Sequence, residues 1–140
     1  MNIRPLHDRS ATGGCLCGAI RFTVGLPPRA VHYCHCSMCR RATGGPFAVI
    51  VWVPSFAVRW DTALPQRRPS SRIACRSFCN ACGTPIYLEY NDSDELGFMV
   101  GSFDDPNAFA PQYHYGIEGR LSWVDAGTLL PPGRETEQVI

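Results

Sequence analysis

The chain has no lysine; all thirteen of its basic residues are arginine. A bias against lysine codons accounts for that absence. With twelve acidic residues opposing them the formal charge is only +1, and no strongly basic stripe points to nucleic acid as the main partner. Long apolar runs are missing as well: nothing approaches the ~20 residues that a membrane span needs. The opening Met1-Asn2-Ile3-Arg4-Pro5-Leu6-His7-Asp8 lacks the apolar core of an export signal, so the expected compartment is the cytoplasm. Helical patterning is scarce too, since no segment repeats convincingly at 3.6 residues over three turns. Hydrophobic content of 45% against 18% charged residues excludes wholesale disorder.

What the chain does have is cysteine, eight in 140 residues. Two sit in Gly14-Cys15-Leu16-Cys17-Gly18. Three sit in Tyr33-Cys34-His35-Cys36-Ser37-Met38-Cys39-Arg40-Arg41. Two more form Phe78-Cys79-Asn80-Ala81-Cys82-Gly83, with Cys75 just upstream. Cys-X-Cys and Cys-X-X-Cys turns let neighbouring sulfurs converge on one point, as a tetrahedral zinc ion at a sulfur distance of about 2.3 Å demands. A disulfide framework is the competing explanation, but no export signal is visible and adjacent Cys-X-Cys sulfurs bridge one another only under strain. Thiolate–zinc binding would also move the formal charge from +1 to about −2, counting seven thiolates and two divalent ions.

Short strands separated by turns fill the rest. Strand patterns run over Ala19–Val24, Ala30–Tyr33, Phe47–Val53, Phe56–Trp60, Arg72–Phe78, Ile86–Tyr90, Leu96–Gly101 and Gln112–Tyr115. Ser37 to Thr43 can make one or two helical turns before Gly44-Gly45-Pro46 stops them. The polar stretch 61–71, with Pro65 and Pro69, reads as a loop. The expected architecture is a mainly β single domain over 13–126, with a loose end or edge segment at 1–12 and a Pro-rich tail at 127–140.

The seven well-spaced cysteines divide into four plus three. Cys15 and Cys17 make one two-ligand turn and Cys79 and Cys82 another, each followed by a glycine that permits positive φ. Joined, they would close a structural site. Cys34, Cys36 and Cys39 form a trio from one tight stretch, and three protein ligands leave a fourth position open for water or substrate. The alternative is that all seven serve structural sites with Cys75 or His35 as a further ligand.

These same residues carry a family resemblance. Gly14-Cys15-Leu16-Cys17-Gly18-Ala19-Ile20-Arg21-Phe22 resembles the opening of glutathione-dependent formaldehyde-activating enzymes, a group that includes the centromere protein V domain. Cys34-His35-Cys36-Ser37-Met38-Cys39-Arg40-Arg41 with Gly44-Gly45 is similar to the second motif, and Phe78-Cys79-Asn80-Ala81-Cys82-Gly83-Thr84-Pro85 to the third. Gly101-Ser102-Phe103-Asp104-Asp105-Pro106, His114 and Trp123 are similar to weaker closing motifs. The resemblance implies a β-tent fold stapled by zinc, with two ions per chain. Cys15, Cys17, Cys79 and Cys82 would hold the structural ion, and Cys34, Cys36 and Cys39 the working one. It further implies a carbon–sulfur lyase that makes S-hydroxymethylglutathione from formaldehyde and glutathione, or acts on another thiol adduct. A non-catalytic zinc-stabilised module binding a protein or nucleic acid is the alternative, and the sequence leaves the oligomeric state open, a homo-oligomer included.

Other residues have weaker claims. Arg40 and Arg41 could offset the thiolate charge or grip a carboxylate bidentately. His35, between two ligands, should point away from the metal and support the loop or carry a proton. His114 could pack near Trp123 or serve the site, and Cys75 reads as a buried strand thiol. Arg67, Arg68, Arg72 and Arg76 suggest an exposed loop and strand edge, or an anion site. Ser70 and Ser71 precede the third cysteine group without an evident job, and His7 and His32 carry no argument.

Overall fold

The computed structural model of the chain describes residues 9–124. Its strands, in chain order, are β1 (Ser10–Gly14), β2 (Arg21–Gly25), β3 (Ala30–Cys34), β4 (Ala48–Pro54), β5 (Val58–Trp60), β6 (Gln66–Pro69), β7 (Ala74–Phe78), β8 (Pro85–Tyr90), β9 (Glu95–Met99) and β10 (Tyr113–Tyr115), with one helix, α1 (Ser37–Thr43). They form a three-stranded sheet, β1-β2-β5, and a seven-stranded sheet, β10-β3-β4-β9-β8-β7-β6. Neighbours are antiparallel except β10, which runs parallel to β3. The expected mainly β architecture is what the chain adopts.

Strand β4 explains why one stretch is apolar throughout. Side chains alternate across a strand, and both faces of β4 are covered. Val51 and Val53 join the core between the two sheets, while Ala48, Ile50 and Trp52 belong to a second apolar cluster on the opposite face. The inter-sheet core is centred on Phe22 of the small sheet, whose ring lies 4.6 Å from Phe98 and 5.8 Å from Trp60. Burying each such side chain contributes about 1.5–3 kcal/mol.

The register sets the second face. Trp52 of β4 stands opposite Gly97 of β9, Gly97 opposite Leu88 of β8, and Leu88 opposite Arg76 of β7. One row along the sheet, Tyr113, His32 and Ile50 are aligned in the same way. An added Cβ on Gly97 would come within 2.7 Å of Ile50 Cγ2 and 2.9 Å of the Trp52 ring, so the bare backbone there lets the indole lie across the strand.

Several boundaries differ from expectation. The stretch 61–71 contains strand β6, an edge strand whose residues are all exposed; with neither face buried it has no alternating pattern to betray it. The strand expected at Phe56–Trp60 begins only at Val58, after a 3₁₀ turn. Ser10–Gly14 makes the 1–12 segment an edge strand from Ser10 onward. His7 and the stretch 127–140, expected as a tail, lie outside the described residues. No helix among the described residues is long and apolar enough to cross a membrane.

Candidate metal centres

The first cysteine group joins two hairpins. Cys15 and Cys17 lie in the turn between β1 and β2, Cys79 and Cys82 in the turn between β7 and β8, and their four sulfurs lie within 4.8 Å of one another. Gly18 and Gly83 take positive φ of 83° and 81° and close the two knuckles, donating their amides to the carbonyls of Cys15 and Cys79. Sulfur separations are 3.6 Å for Cys15–Cys17 and 3.8 Å for Cys17–Cys79. A tetrahedron with metal–sulfur bonds of about 2.3 Å has edges of about 3.8 Å, whereas a disulfide needs about 2.05 Å. The group is therefore shaped for an ion and not for disulfides. The Ile20 amide donates to Cys15 Sγ at 3.2 Å. The Thr84 hydroxyl, 3.1 Å from Cys82 Sγ, leads the interactions that hold that thiol down to about 5.

The second group grows from the end of β3 into α1. Cys36 caps the helix, its Sγ accepting the Cys39 amide at 3.3 Å, and this turn swings Cys39 back beside Cys34. Gly44, at positive φ, ends the helix after two turns, as the Gly44-Gly45-Pro46 run implied. The three sulfurs lie within 4.8 Å of one another, with Cys34 and Cys36 at 3.5 Å. Hydrogen bonding with Cys34 holds Cys39 down to about 5; burial opposes this and the Arg76 guanidinium, 3.5 Å from Cys39 Sγ, assists it. Cys34 is pushed up by the same exchange with Cys39 and by burial. Both groups could thus hold metal ions, with thiolate donor sets consistent with zinc.

The trio faces a cavity of about 540 Å³ on the second face of the large sheet. Strand β4 contributes Trp52, β7 contributes Arg76, β8 contributes Tyr90, and β10 closes the far side with Tyr113 and Tyr115. His32 is buried in that wall. Indole nitrogen donates only, so Trp52 Nε1 gives its proton to His32 Nε2 (2.8 Å), and the His32 ring proton sits on Nδ1, donated to the Tyr33 carbonyl at 2.9 Å. Both ring nitrogens are thus engaged, which fits His32 for packing rather than for proton transfer.

With this geometry the comparison with known proteins is decisive. The family described as glutathione-dependent formaldehyde-activating enzyme matches residues 10–118. The chain belongs to that family. A Halomonas elongata relative, provisionally named a glutathione-dependent formaldehyde-activating enzyme, is 50% identical over 127 residues, covering 81% of this chain and 78% of the relative. An uncharacterized lyase of Schizosaccharomyces pombe is 31% identical over 87 residues, covering 62% of this chain and 63%, less than two thirds, of that protein. A crystal structure of a Rhodobacter sphaeroides protein shares the fold at a TM-score of 0.60 and 23% identity, covering 74% of this chain and 99% of that one.

Within this family member, the seven cysteines gather in the four-plus-three grouping, and neither Cys75 nor His35 joins a cluster. Cys75 is half-buried on β7 rather than fully buried. His35 is fully buried, its Nε2 2.8 Å from His114 Nδ1, and His114 stacks on Tyr33 at 4.6 Å, while Trp123 is exposed. Arg40 does not reach the cavity. It donates to the carbonyls of His35 and Gly119, tying the loop that carries the trio to the segment after β10. The arginine group splits apart, because Arg67 pairs with Glu89 and Arg76 turns to the trio. Ser70 and Ser71 line the cavity. His32 and Arg76 are the site residues that spacing alone passed over; their signal was strand parity, since both share a face with Cys34 once the register is known.

Proposed function

We propose that the protein is a zinc-dependent carbon–sulfur lyase that makes or cleaves the adduct of formaldehyde with a small thiol, glutathione or another. The observation that supports this most is a trio of sulfurs opening onto a cavity of ligand size. In this reading Cys15, Cys17, Cys79 and Cys82 bind a structural zinc, and Cys34, Cys36 and Cys39 bind a second, giving two ions per chain. Bound at the trio, zinc supplies a Lewis acid and a lower pKa for a coordinated thiol. In the synthetic direction the thiol sulfur bonds to the carbonyl carbon, the C=O π bond opens, and the thiol proton ends on the oxygen; nothing is released.

The chain's own groups prepare that event. Three thiolates give the centre a formal excess of negative charge, and Arg76 brings the opposing cation to Cys39 Sγ. The Cys39 amide donates to Cys36 Sγ and fixes the ligand turn. Burial, with Tyr115 and the sulfurs nearby, pushes the Tyr90 phenol up, so its hydroxyl keeps its proton at the cavity wall. Cysteine clusters spaced for an ion rather than for disulfides suit the reducing cytoplasm, where we place the protein.

The test mixes zinc-loaded protein with formaldehyde and glutathione and follows adduct formation by NMR exchange, beside a Cys36→Ser variant. We expect two zinc ions per chain, falling to one in the variant, with acceleration in the native protein alone. Equal rates for the two proteins, with every thiol tried, would remove this reading.

A further inference from the structure

The cavity beside the trio has a composition that narrows its occupant. Four rings form a nearly parallel ladder along its wall: Tyr113 lies 5.0 Å from His32 with planes at 14°, His32 6.4 Å from Trp52 at 14°, and Trp52 5.9 Å from Tyr90 at 15°. The two ends of the ladder are open to solvent, Tyr113 being 47% and Tyr90 40% exposed. Met38 and Ile73 add exposed apolar groups at the mouth, while Ile50 and Leu88 form the floor. Apart from the cysteines, among the described residues only Arg76 and Glu118 bring charge to this lining, and Arg76 is directed at Cys39 Sγ.

Glutathione carries two carboxylates and an ammonium. A charge taken from water without a partner is costly, and here the single guanidinium already faces thiolates. Flat apolar groups, by contrast, gain by stacking on such rings, each pair adding about 0.5–1.5 kcal/mol beyond area burial. We infer that the thiol partner carries a flat apolar body, an aryl or arylalkyl group, that lies on the Tyr113–His32–Trp52–Tyr90 ladder while its sulfur reaches the trio. This rests on the lyase reading above for the reaction, although the binding preference is measurable without turnover. A neighbouring cavity of about 320 Å³, which shares Ser70 and Arg76 and adds Arg68, is where a carboxylate-bearing thiol would have to extend.

Calorimetric binding of benzyl mercaptan and of glutathione to the zinc-loaded protein decides the matter, with sedimentation at the same concentration. We expect benzyl mercaptan to bind at least tenfold more tightly. Tyr113→Ala and Tyr90→Ala should each weaken it about fivefold to tenfold, closing most of the gap to glutathione. Tighter glutathione binding that is lost in Arg68→Ala overturns the inference and leaves the lyase reading standing. A dimer that dissociates in Tyr113→Ala with benzyl mercaptan affinity unchanged also overturns it, because the ladder would then be a subunit contact. Preferred binding of benzyl mercaptan without any adduct formation upholds the ligand class and removes the lyase reading instead.

Discussion

Arg76 is the residue on which the electrostatics of the trio turn. It is reached only through the pairing of β7 with β8, which sets it opposite Leu88 and beside Cys39. In sequence it is one of four arginines in a polar stretch, so its neighbours along the chain disguise it. The cysteines were legible because metal geometry demands short fixed spacings; Arg76 was not, because its partner lies 37 residues away. A cation beside a thiol favours the thiolate, and removing it lets protons compete better with a metal. In Arg76→Gln the pH at which the trio releases zinc should therefore move upward, by roughly half a unit to one unit. Zinc release followed with a colorimetric chelator across pH 4–8 reads this directly. An unchanged midpoint for the second ion would show that the guanidinium does not act on the sulfurs.

At the scale of elements, the cavity face is built by strand register more than by any motif. Gly97 shows why this escaped the sequence: a glycine inside a strand pattern looks like a weakness, yet here it receives the Trp52 ring from β4. Gly97→Val would push on Ile50 and Trp52 together, and overpacking of that kind costs about 1–3 kcal/mol. Urea unfolding should record that loss, with the Trp52 to His32 hydrogen bond disturbed as well. The small sheet depends on a second link between elements. Asp104 accepts from both Arg21 guanidinium nitrogens on β2 (3.0 and 2.5 Å) and from the Thr12 hydroxyl on β1 (2.6 Å). This gives a structural job to a motif that the sequence offered only as a resemblance. Arg21 first, then Thr12, hold the Asp104 carboxyl down to about 2. A depressed carboxylate contributes stability above its ordinary pKa of about 4 and loses it as pH falls toward about 2. Asp104→Asn should accordingly cost on the order of 0.5–1 kcal/mol, discounted because the pair is half-exposed. That difference should be the same at pH 7 and pH 5.5, and one that shrinks across this interval would contradict the assigned pair.

For the whole molecule, the decisive feature is that the two cysteine groups are placed differently along the chain. The four-sulfur group connects the β1–β2 turn of the small sheet to the β7–β8 turn of the large one, so an ion there closes a loop of more than 60 residues across the inter-sheet core. The trio lies within one stretch of chain and bridges nothing distant. Metal binding that exists only in the folded state is folding free energy. Cys82→Ser should therefore lower stability by about 5 kcal/mol or more, a fall of roughly 15–25 °C in Tm. Cys36→Ser should leave Tm within about 5 °C, because its loss is confined to a helix cap and one short turn. Thermal unfolding of both variants beside elemental zinc analysis separates the roles: each should lose one ion, and only Cys82→Ser should show the large fall in Tm. Equal Tm losses would mean that both groups staple the molecule, leaving no sulfur set free to serve a substrate.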